Sequence, residues 1–420
     1  MNMTIRIRLS IMMFIEFFVW GAWCVTLGSY LGKGLGFGGV EITNAYSTTA
    51  WAAIITPLSV GMVADRFLPA QAVLGVMHLI GAGLMYWLST ITDAGMFFWV
   101  LLAYALCYMP TLALVNAIAF KQMTDIEKEF PSIRVLGTLG WIVAGLVISY
   151  LLGPAFKSQL GDNPIDATKY PILMAAIASL AMGVYSFTLP HTPPPARGQK
   201  FSVSDALGLK ALGLMKDLSF AVFLIGSLLI CIPLAFYYAF TNMFLVDVGV
   251  QNVAAKMSMG QMSEVVFMLV MPFFFKRLGV KKMLLVRMAA WVVRYAFFAY
   301  GGPDMPLVLM LYGGILLHGI CYDFFFVTGQ IYVDKAAPPE IRANAQGLIA
   351  MVTYGAGMVI GNFVAGRVVD KYTLESGAYV WKTIWTIPGV MGLVVVILFA
   401  LMFREKAAQK EIPLDTTPDA

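Results

Sequence analysis

The sequence predicts an all-α integral membrane protein of twelve transmembrane helices in two six-helix halves. Composition is the first observation: 60% of the 420 residues are hydrophobic and 12% charged, with mean hydropathy +0.80. Soluble domains carry about twice that share of charge, roughly 25%. The second is run length, since about 20 apolar residues at ~1.5 Å each span a hydrocarbon core of ~30 Å. The third is arrangement: six runs, a polar stretch, then six more, with Pro131-Ser-Ile-Arg134 at the head of the fifth run echoed by Pro339-Glu-Ile-Arg342 at the head of the eleventh. Equal halves with an internal echo are the pattern of alternating-access carriers, whose site lies at the midplane between repeats.

The runs fall at about 9–31, 43–64, 71–91, 96–120, 133–155 and 170–190, then 219–246, 255–275, 282–301, 305–333, 343–366 and 381–403. This gives an amino-terminal half over 1–190, a linker over 191–218, a carboxyl-terminal half over 219–403 and a tail over 404–420. The linker holds three prolines at 193–195, then Arg197, Lys200, Lys210 and Lys216 around the amphipathic stretch SVSDALGLKALGLM, which predicts a surface helix. Arg6 and Arg8 before the first run resemble a signal peptide, but the run is long, holds Glu16, Trp20 and Trp23, and lacks a small-residue cleavage site, so a retained first helix is expected.

If the amino terminus is cytoplasmic, 20 of the 28 Lys and Arg fall on the cytoplasmic side, Arg287 counted among them, seven fall outside and Arg294 lies within a span. The positive-inside rule then puts both termini in the cytoplasm of a multi-pass inner-membrane protein. The net charge of +5 follows from this bias and implies no nucleic-acid partner. Cys24, Cys107, Cys231 and Cys321 lie in apolar runs without paired spacing, and no phosphate loop, metal-ligand spacing or nucleophile motif is present. An enzyme, an ATP-driven pump and a metal site are therefore not expected, and no cofactor beyond a proton as coupling ion.

Candidate site residues are polar groups stranded in apolar runs. Asp323 sits mid-run in the tenth span, with His318 and Tyr322 four apart on one face. An acid at that depth costs roughly 2.5–3.5 kcal/mol, so it normally faces an ion or substrate path. Glu264 is mid-span in the eighth run with Gln261 three residues earlier, and Glu16 lies near the start of the first, where pairing with an arginine is an alternative to function. A structural role as a protonated brace between helices is the alternative for Glu264 and Asp323. Arg134, Thr138 and Trp141 form an i, i+4, i+7 stripe on the fifth span, and an anchor at the membrane surface is the alternative for Arg134. Tyr237 and Tyr238 follow Pro233 in the seventh, and at least one of them is expected to line the site and stack on a ring. Gly61, Asp65 and Arg66 close the second span and read as a conformational gate.

The motifs Leu27-Gly-Ser-Tyr30, Tyr108-Met-Pro-Thr-Leu112, Phe130-Pro-Ser-Ile-Arg-Val-Leu-Gly-Thr138, Gln261-Met-Ser-Glu264, Tyr322-Asp-Phe-Phe325 and Ile341-Arg-Ala-Asn-Ala-Gln-Gly347 resemble, over nearly the whole chain, the nucleoside:proton symporter family of the major facilitator superfamily. The resemblance implies substrate-binding roles for Arg134, Thr138 and Gln261 and proton coupling at Glu264 and Asp323. The chain departs from the family pattern at His318, Tyr322 and Trp141, and at Ala235 and Tyr238, where a glutamine and an asparagine are usual. The expected function is nucleoside import by proton symport, with a nucleoside-like molecule, a proton and membrane lipid as partners of a monomer. A sugar:proton symporter of the same architecture is the near alternative. A membrane receptor or enzyme that does not transport is the remote one.

Overall fold

The computed structural model describes residues 2–56, 68–161, 163–193 and 209–404, without the side chains of residues 127, 272, 322–327 and 343. Among the described residues twelve helical passages are formed, the number of spans expected. They are α1 (Met3–Gly34), α2 (Gly39–Ile55), α3 (Ala70–Leu88), α4 (Ala94–Lys121), α5 (Lys128–Ala155) and α6 (Tyr170–Ser186), then α7 (Leu218–Asp247), α8 (253–278), α9 (280–300), α10 (308–336), α11 (342–371) and α12 (Trp381–Met402). No β-strand is formed among the described residues. Helix α1 starts six residues before the apolar run does, because Ile5 and Ile7 extend the helical turn around Arg6 and Arg8 and Asn2 caps it by accepting from the Thr4 N–H at 2.9 Å. Between α8 and α9 the chain turns at Gly279 (φ 68°, ψ 179°), a backbone conformation that a side chain would strain, so the basic stretch around it becomes a tight hairpin. Of the linker, residues 209–216 form a short 3₁₀ turn with Ala211 buried; residues 194–208 lie outside the described residues.

The outside of the bundle is apolar. Leu269, Leu401 and Ile177 are 77%, 73% and 70% exposed, a surface suited to lipid and not to water. Polar groups turn inward instead. Glu16 on α1 is wholly buried and bonded to His78 Nε2 on α3 at 2.9 Å and to the Thr111 hydroxyl on α4 at 2.6 Å. His78 Nδ1 in turn contacts Ser179 Oγ on α6 at 3.0 Å. Of the two sequence alternatives for Glu16, the arginine pairing is thus replaced by a histidine 62 residues away. Arg287, expected in a cytoplasmic loop, is a correction of the same kind: it lies on α9, 1% exposed, with its Nε donating to the Cys321 carbonyl on α10. Arg294 is also wholly buried, donating to the Gly314 carbonyl at 2.8 Å, with its guanidinium 4.0 Å from the Tyr237 ring.

The two ends of the bundle differ. Call the end that carries the start of α1 and the end of α12 the terminal end, and the other the far end. Among the described residues, the hydrogen bonds between the halves lie toward the far end. Ser29 on α1 donates to Asn242 on α7, and Lys33 pairs with Asp247. Asp370 on α11 accepts from the Gly39 and Val40 N–H groups at the start of α2. Ser149 on α5 accepts from the Ala255 N–H at 3.0 Å. Gly28 makes this closure possible, since a Cβ there would come 2.2 Å from the Ala239 carbonyl oxygen of the opposite half.

Candidate substrate cavity between the two halves

A cavity of about 1090 Å³, counted to its open mouth, separates the halves. The amino-terminal half contributes Phe17, Trp20 and Cys24 from α1, Tyr46 and Thr49 from α2, and Arg134, Thr138 and Trp141 from α5. Across from them stand Cys231 and Tyr238 of α7, Gln261 and Glu264 of α8, and Thr353 and Tyr354 of α11. Because the far-end bonds close one side, the cavity runs toward the terminal end, where Arg134 and Ala53 sit.

The α5 stripe forms as its spacing predicts. Arg134, Thr138 and Trp141 share the cavity face because one helical turn separates each from the next. The Arg134 guanidinium rests 4.1 Å over the Phe17 ring and lies within electrostatic range of Glu264, on the opposite wall. No ion pair closes that gap, so a cation and an acid both remain directed at the cavity. Trp141 packs 5.4 Å from Trp20 at a tilt of 58°, and Trp20 sits edge-on to Tyr108 at 5.9 Å, which builds an aromatic wall of mutually inclined rings. Stacking surface on one side and amide, hydroxyl and charged groups on the other suit a ligand with a planar ring and a polar ring of hydroxyls.

Of the residues expected here, the cavity brings together Arg134, Thr138, Trp141, Tyr238, Gln261 and Glu264. Tyr237 and His318 lie apart from these six. Each is 3% exposed and neither lines the cavity. Neighbouring residues on a helix point about 100° apart, so once Tyr238 faces the cavity Tyr237 must face inward. There its ring lies between Arg294 and Trp291 and stacks on His318 at 5.4 Å. His318 is wedged against Gly260 of α8, one layer behind Gln261. The backbone of Tyr322 and Asp323 continues α10, but their side chains lie outside the described residues, as do Gly61, Asp65 and Arg66 altogether.

Sequence reasoning missed Tyr46, Thr49, Trp20, Thr353 and Tyr354. The signal for the α2 pair was present: the run Thr43-Asn-Ala-Tyr46-Ser-Thr-Thr49 is rich in hydroxyls for a span, and Tyr46 and Thr49 are three apart. Thr353 and Tyr354 gave no such signal. They fall in a π-helical turn, Met351–Gly357, which shifts the register of α11 and so changes which face reaches the cavity.

Comparison with known proteins agrees with this geometry. The family model described as nucleoside H+ symporter matches residues 3–408. The chain is 45% identical to the protein YegT of Escherichia coli (strain K12) over 95% of this chain and 93% of that one. It is 34% identical to the nucleoside permease NupG of the same organism, over 99% of both chains, and 34% identical to its xanthosine permease, over 96% of both. The crystal structure of the nucleoside transporter NupG superposes with a TM-score of 0.86, covering 97% of this chain and all of that chain at 34% identity. With the matched profile spanning almost every residue, the chain belongs to the nucleoside H+ symporter family.

Proposed function

We propose that this protein imports nucleosides together with protons by alternating access, binding the nucleoside in the cavity between its halves. The carrying observation is the wall chemistry: an acid, Glu264, and a cation, Arg134, flank amide, hydroxyl and aromatic groups in one cavity closed at one end. In this reading Trp141 and Tyr238 stack on the base, and Thr138 and Gln261 hydrogen-bond its edge or the ribose. Arg134 orients the ligand by charge-assisted hydrogen bonds. The bias of Lys and Arg supports cytoplasmic termini, inner-membrane insertion and a far end that faces outside.

Glu264 and Asp323 take the coupled proton in this scheme. An ionised carboxylate is costly to occlude, so the carrier reorients when the acid is neutral and nucleoside is bound, and releases both on the terminal side. The gate residues Gly61, Asp65 and Arg66 act at the cytoplasmic ends, and His318 and Tyr237 act as a supporting layer behind the binding wall. The test is uptake of labelled uridine or adenosine into sealed proteoliposomes under an imposed pH gradient. Accumulation that free nucleosides inhibit and free sugars do not is the expected result. Gradient-driven accumulation of a labelled sugar without accumulation of uridine or adenosine would make the protein a sugar symporter, and accumulation of neither would remove transport. Asp323→Asn is expected to abolish uphill accumulation; if it retains gradient-driven uptake, the role given to Asp323 is wrong.

A further inference from the structure

Asp166 is a buried acid that the substrate cavity does not use. It sits in the short turn Ile165–Ala167 between α5 and α6, outside the membrane-spanning segments, and is 2% exposed. Asn242 of α7 donates from Nδ2 to Asp166 Oδ1 at 3.0 Å, while the Asn242 carbonyl oxygen accepts from the Ser29 hydroxyl of α1. The Ala254 N–H at the start of α8 also bonds Asp166. One carboxyl therefore ties a loop of the amino-terminal half to two helices of the carboxyl-terminal half, at the end where the halves meet. These bonds must part when the far end opens.

We propose that Asp166 takes up a proton from water on the far side as this latch closes, and returns it to the same side when the latch opens. The inference rests on the reading above for its direction, far side outside, and not for its chemistry. Closing the latch moves a carboxyl from water into a protein interior, which disfavours its ionised form. Burial accordingly pushes the Asp166 carboxyl up from its ordinary value, and the hydrogen bonds from Asn242, its own backbone and Ala254 offset this only in part. The sign follows from linkage: the closed state, which holds the proton more tightly, is at full strength below the ordinary carboxyl pKa of about 3.9 and weakens as pH rises through the raised value.

No charge among the described residues takes over that role. Lys33 on α1 is paired with Asp247 of α7, Lys256 on α8 lies over the Tyr312 ring, and Tyr170 on α6 donates to Gln159. Tyr30 on α1 is buried nearby, and Lys157, Lys169 and Tyr150 are exposed to solvent; none has a bond to Asp166. The Asp166 proton never crosses the membrane. It therefore sets how external pH biases the gate without entering the number of protons carried per nucleoside. This distinguishes it from Glu264 and Asp323.

The test measures the far-end distance between spin labels at Thr90→Cys and Ser376→Cys, exposed positions in opposite halves, in nanodiscs without substrate and with the four native cysteines replaced by serine. Raising pH from about 5 to about 8 is expected to increase the long-distance fraction relative to the short. Asp166→Asn, which fixes the neutral form, is expected to keep the short distance at both pH values. Asn242→Ala is expected to raise the long-distance fraction at both while the response to pH persists. An unchanged wild-type distance distribution across pH, or a response in Asp166→Asn equal to that of the wild type, overturns the proposal. Should Asp166→Asn fail to fold, the wild type and Asn242→Ala decide alone. Because no nucleoside is involved, loss of the transport reading and loss of the latch are separate outcomes.

Discussion

At the far end the halves are joined side chain to side chain through Ser29 and Asn242, Asn242 and Asp166, and Lys33 and Asp247, and by Asp370 accepting from the backbone N–H groups at the start of α2. At the terminal end the described bonds stay inside one half: Arg6 to Ser132 and Arg8 to the Thr188 carbonyl in the first, Arg342 to Asp334 and Gln346 to the Gln330 carbonyl in the second. The same chain thus spends its polar groups between halves at one end and within halves at the other. A carrier needs this asymmetry to be reversible, so the joined end must be weak enough to open. Short polar links and one partly exposed ion pair meet that requirement better than a continuous apolar seam, because water replaces each lost bond.

The largest effect is expected from breaking a half and not the contact between halves. Glu16→Ala leaves His78 Nε2 and the Thr111 hydroxyl without their shared buried carboxyl partner and is expected to cost about 1–3 kcal/mol for each, read as a lowered thermal unfolding midpoint in detergent. The ratio of far-end open to closed states in the surviving protein should change little. Breaking the joined end comes next. Gly28→Ala drives a methyl into the Ala239 carbonyl, and at about 1–3 kcal/mol of overpacking it should shift the far-end distances toward open and slow uptake.

Changes to the cavity wall are expected to weaken binding and leave the far end as it is. Trp141→Ala removes a stacking face worth about 1–3 kcal/mol per base, so nucleoside binding by isothermal titration should weaken roughly tenfold to a hundredfold with the far-end distances unaltered. Smallest is Lys33→Met. Its ion pair with Asp247 is partly exposed, 32% and 26% at the two side chains, and is expected to contribute about 0.2–1 kcal/mol, a barely measurable change in far-end opening that disappears at high salt.

Much of the architecture was legible because a bilayer imposes it. Run length and the positions of polar breaks determine the spans, and a helix repeat determines that Arg134, Thr138 and Trp141 share a face. Legibility ended where the answer depended on rotation or on distant partners. Tyr237 and Tyr238 are chemically alike, and only packing around Arg294 decides which faces the cavity. Arg287 follows a basic hairpin and reads as part of it, yet about two turns into α9 it is within the protein. Glu16 finds its partner 62 residues on, and Asp166, in a polar connection that looks solvated, is folded beneath α7. Side chains two or more helices apart in sequence met there, which no local pattern encodes.

If nucleoside and proton share one reorienting cavity, their coupling is reciprocal. Adding nucleoside outside proteoliposomes at equal internal and external pH, in weak buffer, should therefore draw protons inward and alkalinise the medium, with Glu264→Gln blunting the signal. Nucleoside entry with no accompanying pH change would contradict the account.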